Sequence, residues 1–242
     1  NGNLALKDFP LQELWSLKLD GEVKALSNNG DQIIFARTNK KLFALDKESG
    51  NILWQHALEW QGIPKPPITS NGLVYLADGK AIWALDQENG SVKWTMEVPL
   101  ASASVEIISA NVVVVKMSSD VFALDALGGT ILWSKPECRY GDFPLYIENS
   151  NLYSPCLDDI TMLNVDNGEV VGDIQEPLVI AKVAYRDSTI YYSPERNTIS
   201  ALDLETLQVL WESVFTGRGF REFRILGNYL VVTGSDKFCV FE

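Results

Sequence analysis

Short apolar runs parted by turn residues recur along the whole chain, and residues 65–98 show the unit best. There "KPPITS", "GLVYLAD", "AIWALD" and "SVKWTMEV" are separated by Asn71-Gly72, Asp78-Gly79 and Glu88-Asn89-Gly90. Runs of this length, rich in β-branched and aromatic residues, predict strands. The breaks are residues that tolerate the left-handed backbone a tight hairpin needs. No segment has a helical period. Four strands in about forty residues is the length of one propeller blade.

The unit repeats. "LFALDKESGNILW" (42–54), "IWALDQENGSVKW" (82–94) and "VFALDALGGTILW" (121–133) keep Ala, Asp, Gly and Trp in register. Two decayed copies hold the phase: "ITMLNVDNGEVVG" (160–172) ends in Gly172, and "ISALDLETLQVLW" (199–211) has Leu207 where glycine stood. Taking Trp15, Trp54, Trp94, Trp133, Gly172 and Trp211 as markers, the intervals are 39, 40, 39, 39 and 39 residues. A small Ala lets strands approach, the Asp accepts N–H bonds in its turn, and the Gly supplies a positive φ. The Trp is a large flat ring suited to wedging between blades. The motif is architectural, with Trp15, Trp54, Trp94, Trp133 and Trp211 as docking residues.

The ends set the predicted blade count. After Trp211 come "FREFRIL", "NYLVVTG" and "FCVFE", three strands without a fourth, while "ELWSLKL" (13–19) is an orphan strand carrying Trp15. Joining them closes a ring and removes exposed sheet edges. The expectation is an all-β chain forming one domain over residues 1–242: a six-bladed β-propeller whose N-terminal strand completes the C-terminal blade.

The element Ala-x-Asp-x-x-x-Gly-x-x-x-Trp resembles the tryptophan-docking repeat of the pyrroloquinoline-quinone-like propellers. The fit is best at Ala44/Asp46/Gly50/Trp54, Ala84/Asp86/Gly90/Trp94 and Ala123/Asp125/Gly129/Trp133. That family spans cofactor-dependent dehydrogenases, the propeller lipoprotein of the outer-membrane β-barrel assembly machinery, and sensor ectodomains. The resemblance to the dehydrogenases implies about eight blades, cofactor-stacking residues, calcium ligands and, in the alcohol dehydrogenases, an adjacent cysteine pair. This chain has none of these: Cys138, Cys156 and Cys239 lie far apart. It resembles the assembly lipoprotein more, which implies no cofactor, no catalysis, and an extracytoplasmic place in the periplasm or at the cell surface.

Composition narrows the partners. A formal net charge of −12 disfavours nucleic acid. No apolar stretch nears the ~18 residues of a membrane span. The chain begins Asn1-Gly2-Asn3, as a processed or trimmed chain does, so a signal peptide or lipid site would lie upstream. Asp46-x-Glu48-x-Gly50 and Asn164-x-Asp166-x-Gly168 look like calcium loops but lack the further ligands and closing Glu, so they read as turns. His56, the sole histidine, sits just past Trp54 on an outer strand and reads as a surface residue. "GRGF" (217–220) lacks the helix of a phosphate loop.

What remains is protein binding, or, as the alternative, ligand sensing as the ectodomain of a receptor or kinase. Irregularity gathers in the between-blade loops "EWQGIPKPP" (59–67), "KPECRYGDFP" (135–144) and "FTGRGFREF" (215–223), on the face shared with the turns between second and third strands. Loops on a rigid scaffold are common seats of function, and aromatics with arginine make hot spots. Trp60, Arg139, Tyr140, Arg218, Phe220 and Arg221 are the candidate contacts. With Arg224, "GRGFREFR" has three Arg against one Glu, so an acidic protein segment would be steered there. Seam packing is the competing role for Trp60, Phe143 and Phe220, and neutralisation of Glu222 or Asp142 for the arginines. Cys138 and Cys156 fall at the same end of the fourth blade, where a disulfide is sterically open beside the reading of three free thiols.

Overall fold

The computed structural model describes residues 13–30, 32–59, 64–98, 103–109, 111–117, 120–136, 145–155, 159–174, 183–195 and 197–242. Within them the apolar runs become strands gathered into six antiparallel sheets, with no helix. The first holds β1 (Val23–Asn28), β2 (Ile33–Thr38), β3 (Lys41–Asp46) and β4 (Ile52–Ala57). The second holds β5 (Ile68–Ser70), β6 (Leu73–Ala77), β7 (Ala81–Asp86) and β8 (Val92–Glu97). In the third are β9 (Ala103–Ser109), β10 (Val112–Met117), β11 (Asp120–Asp125) and β12 (Ile131–Pro136). In the fourth are β13 (Tyr146–Glu148), β14 (Asn151–Pro155), β15 (Ile160–Asn164) and β16 (Val170–Ile174). The fifth contains β17 (Val183–Arg186), β18 (Thr189–Tyr192), β19 (Thr198–Asp203) and β20 (Val209–Val214). The sixth has only β21 (Phe220–Leu226), β22 (Tyr229–Gly234) and β23 (Phe238–Phe241).

Strand order within every sheet follows the chain, so each is an up-and-down blade. A bulge recurs at one place in the five four-stranded blades, between the third and fourth strands, at Ala44/Leu45, Ala84/Leu85, Ala123/Leu124, Met162/Leu163 and Ala201/Leu202. The turn beside it is built by the repeat's acid. Asp46 accepts the Ser49 N–H at 2.7 Å, Asp125 that of Gly128 at 2.6 Å, and Asp203 that of Thr206 at 2.7 Å. Hydrogen bonds from Ser49 hold the Asp46 carboxyl below its usual pKa, and those from Thr206 do the same for Asp203. The calcium-like stretches are thus turns whose oxygens face their own backbone. Leu207 replaces the glycine and still takes φ 58°.

Tryptophan joins blade to blade. The Trp54 indole N–H donates to Gln87 O at 2.9 Å, Trp94 to Ala126 O at 2.8 Å, and Trp133 to Val165 O at 2.8 Å. In each case the acceptor follows the repeat's Asp or Asn on the next blade. The ring lies flat on that blade's glycine: a Cβ on Gly129 would stand 2.6 Å from Trp94, and one on Gly90 2.7 Å from Trp54. Glycine is therefore required twice over there, for φ and for space.

Five buried clusters fill the five seams between consecutive sheets. The fourth-to-fifth seam differs, because Gly172 stands where a docking Trp would be. Tyr153 and Tyr192 fill it together with a parallel stack of Tyr146 on Tyr185 at 4.5 Å, beside the inner strands β13 and β17. At the fifth-to-sixth seam, Trp211 stacks on Phe241 (5.9 Å, 22°) and makes no turn-carbonyl bond among the described residues.

Closure differs from expectation. Residues 13–19 form no strand with β23, and among the described residues the sixth sheet stops at three strands. Trp15 nonetheless docks on the first blade as the pattern requires, donating to Lys47 O at 2.9 Å and covering Gly50. Among the described residues no core cluster joins the sixth sheet to the first. Phe238 is 70% and Leu26 60% exposed, so β23 and β1 leave apolar side chains in solvent. The physical reason is that residues 13–19 are held on the first blade, where Trp15 and Leu19 pack against Ala36, Phe43 and Leu45.

Candidate functional site

The between-blade loop after β20 and the turn between β22 and β23 lie side by side at one corner of the sixth blade. Phe215 is the foundation, fully buried against Phe220 at 4.9 Å, with Phe220 edge-on to Phe223 at 5.2 Å. Gly217 and Gly234 press on the Phe215 ring so closely that a Cβ on either would collide at 2.5 and 2.7 Å. Backbone bonds then tie loop to turn: Ser235 N–H donates to Arg218 O at 2.8 Å, and Arg218 N–H to Asp236 Oδ1 at 2.7 Å. The result is a fixed platform of backbone.

Its outward side chains are basic. The Arg218 side chain is 90% exposed and only loosely paired, its Nε 3.8 Å from Asp236. Arg221 is exposed and donates from Nε to Ser235 Oγ at 3.2 Å. Lys237, on the turn, donates to Thr216 Oγ1 at 2.5 Å. Three cations against one carboxylate leave a local surplus of positive charge on a chain of −12. Such a corner attracts and orients a carboxylate group.

The sequence-derived residues fare unevenly. Arg218 and Arg221 come together at this corner. Phe220, at 7% exposure, is committed to the seam, which its neighbours Phe215 and Phe223 explain, so it offers no surface to a partner. Arg224 is consumed by Glu222 at 2.5 Å, the neutralising role expected of an arginine beside an acid. Trp60, Arg139, Tyr140, Phe143, Cys138 and Cys156 lie outside the described residues, and Cys239 is a free thiol, half-buried. Lys237 escaped the sequence reading although the rule that second-to-third turns share the loop face could have found it. His56 is not a plain surface residue: it is half-buried, edge-on to Trp83 at 4.9 Å. Among the described residues no three His, Cys, Asp or Glu side chains converge as a metal site requires, and no helix is long and apolar enough to cross a membrane.

Comparison with solved structures finds the same architecture at low identity. The structure of BamB from Moraxella catarrhalis superposes with a TM-score of 0.67 at 18% identity, covering 91% of this chain and 72% of that one. The computationally designed Ika8 protein superposes with a TM-score of 0.70 at 14% identity, covering 90% and 70%. These likenesses show a β-propeller fold. Comparison with curated protein sequences gives no match. The family described as outer membrane protein assembly factor BamB matches residues 11–139, more than half of the chain and the stretch holding the well-kept Trp-docked repeats. This chain belongs to that family.

Proposed function

We propose that this chain is a non-enzymatic, protein-binding scaffold of the cell envelope, working on the extracytoplasmic side in the assembly of outer-membrane proteins. The observation that carries the reading is the family match over residues 11–139. The corner formed by Arg218, Arg221 and Lys237 supports it by supplying a rigid cationic surface for an acidic segment of a protein partner. Charge complementarity of this kind sets encounter rate and register more than raw affinity.

Cross-linked capture from native envelopes, followed by mass spectrometry, tests the reading. The triple variant Arg218→Ala, Arg221→Ala, Lys237→Ala should retain its melting temperature and lose capture roughly thirtyfold, the equivalent of about 2 kcal/mol. Capture unchanged by the triple variant moves the binding surface away from this corner. A quinone chromophore absorbing beyond about 300 nm in purified protein would overturn the non-enzymatic reading.

A further inference from the structure

The sixth blade has an open edge. Among the described residues β23 is paired on one side only, whereas the third strand of each other blade is paired on both. The chain's own candidate for that place is engaged elsewhere. Trp15 donates to Lys47 O, and with Leu19 it holds residues 13–19 on the first blade.

That edge is suited to pairing. The turn before β23 closes with Gly234 N–H on Lys237 O at 2.7 Å. In the alternating ladder that follows, Cys239 and Phe241 bond to β22, and Phe238 and Val240 turn their N–H and C=O groups outward. The side chains of Phe238 and Val240 are exposed too, on the face turned away from the fifth blade, while Cys239 and Phe241 pack into the seam. The outer strands of the other five blades are each bulged against their neighbour, a device that turns an edge away from other chains. β23 pairs without a register shift and has no charge or proline from Phe238 to Phe241.

Charge gives the edge a direction. Lys237 immediately precedes Phe238, and Arg218 and Arg221 stand on the adjoining loop, tied to the same turn through Asp236 and Ser235. At the far end of β23 lies the exposed carboxylate of Glu242. In the five complete blades the fourth strand runs antiparallel to the third. A segment added to β23 in that sense brings its C-terminal end to the three cations and its N-terminal end to Glu242.

We infer that β23 takes up an extended segment of a protein partner as the fourth strand of the sixth blade, antiparallel, with apolar residues followed by acidic ones. Two apolar side chains, two positions apart, lie opposite Val240 and Phe238, and the acids after them reach Lys237, Arg218 and Arg221. Main-chain bonds supply the affinity of such strand addition, and the alternate side chains supply its specificity. This names the partner chemistry of the arginine corner and rests on the reading of that corner given above.

Calorimetric titration of the full chain with acetylated, amidated peptides decides it. The probe is Ser-Val-Thr-Val-Glu-Glu. The controls are the reversed order, Glu-Glu-Val-Thr-Val-Ser, and the probe with both valine nitrogens methylated, which removes the main-chain donors facing β23. The probe should saturate with a Kd of about 1 mM or below, and each control should bind at least about tenfold more weakly. Phe238→Ala should weaken the probe about tenfold at an unchanged melting temperature. Equal binding of the methylated or the reversed peptide would overturn strand addition in this sense and leave the corner reading standing. Full probe affinity in the triple variant of Arg218, Arg221 and Lys237 would sink the corner reading, and the acidic requirement with it. No probe binding up to about 10 mM would overturn the assignment. So would dimers of the chain alone that the probe disperses, since the edge would then belong to a second copy.

Discussion

Replacing Gly129 by alanine should destabilise the protein mainly because Trp94 is there, and a double-mutant cycle separates that part from the rest. At φ +70° an alanine incurs backbone strain of roughly 1–2 kcal/mol. Its Cβ would also meet Trp94 Cδ2 and Cε3 at 2.6 Å, an overpacked contact costing about 1–3 kcal/mol. The single variant Gly129→Ala should therefore lose about 2–5 kcal/mol. Trp94→Ala empties the seam and removes the indole bond to Ala126 O, a loss of about 3–5 kcal/mol. With the ring gone, adding Gly129→Ala should cost only the backbone part, about 1–2 kcal/mol. Urea unfolding of the four proteins, followed by circular dichroism, gives a coupling of about 1–3 kcal/mol, the double variant being less damaged than the sum of the singles. Gly227 is the control: its φ is +58° and a Cβ added there would have no atom within 4 Å, so Gly227→Ala should cost only the backbone part. Additivity within about 0.5 kcal/mol at Gly129 and Trp94 would refute steric docking as the reason for this glycine.

Leu207 holds a left-handed turn without being glycine, so Leu207→Gly should raise stability by roughly 0.5–1 kcal/mol in urea unfolding; a loss would mean its packing outweighs the strain. His56 titrates below its ordinary value of about 6.5 because burial disfavours the imidazolium. As pH falls from about 7 to about 5 the unfolded chain takes up that proton first, so folding stability declines; His56→Gln should flatten this part of a melting-temperature profile, and an unchanged slope would place the proton uptake elsewhere.

The repeat is legible in the sequence because each of its residues answers a local demand. Asp46 caps its own turn, Gly50 supplies a positive φ, and Trp54 is the only ring in its run large enough to span a seam. Local demands leave fixed spacings. Closure leaves none: "ELWSLKL" (13–19) has the pattern of an outer strand, yet Trp15 and Leu19 pack on the first blade and these residues form no strand with β23. Phe220 and Arg218 illustrate the same limit at the candidate site. Two residues apart in one loop, both carry interface-type side chains, yet Phe215 and two flanking glycines draw one into the seam and leave the other in solvent. Lys237 and the His56–Trp83 pair depend on strands distant in sequence and become visible only when the blades are stacked.

The fourth-to-fifth seam is packed by its tyrosines and has Gly172 where the other outer strands carry a docking tryptophan. Ring packing alone holds it, with no indole hydrogen bond across it among the described residues. The three seams before it are locked at the rim by an indole bond and cannot swing without breaking that bond. The fifth-to-sixth seam, with Trp211 stacked on Phe241, lacks that bond as well, so four blades are tied by bonded indoles and the last two by ring packing. The four tied blades should accordingly be the last to lose protection in native-state hydrogen exchange.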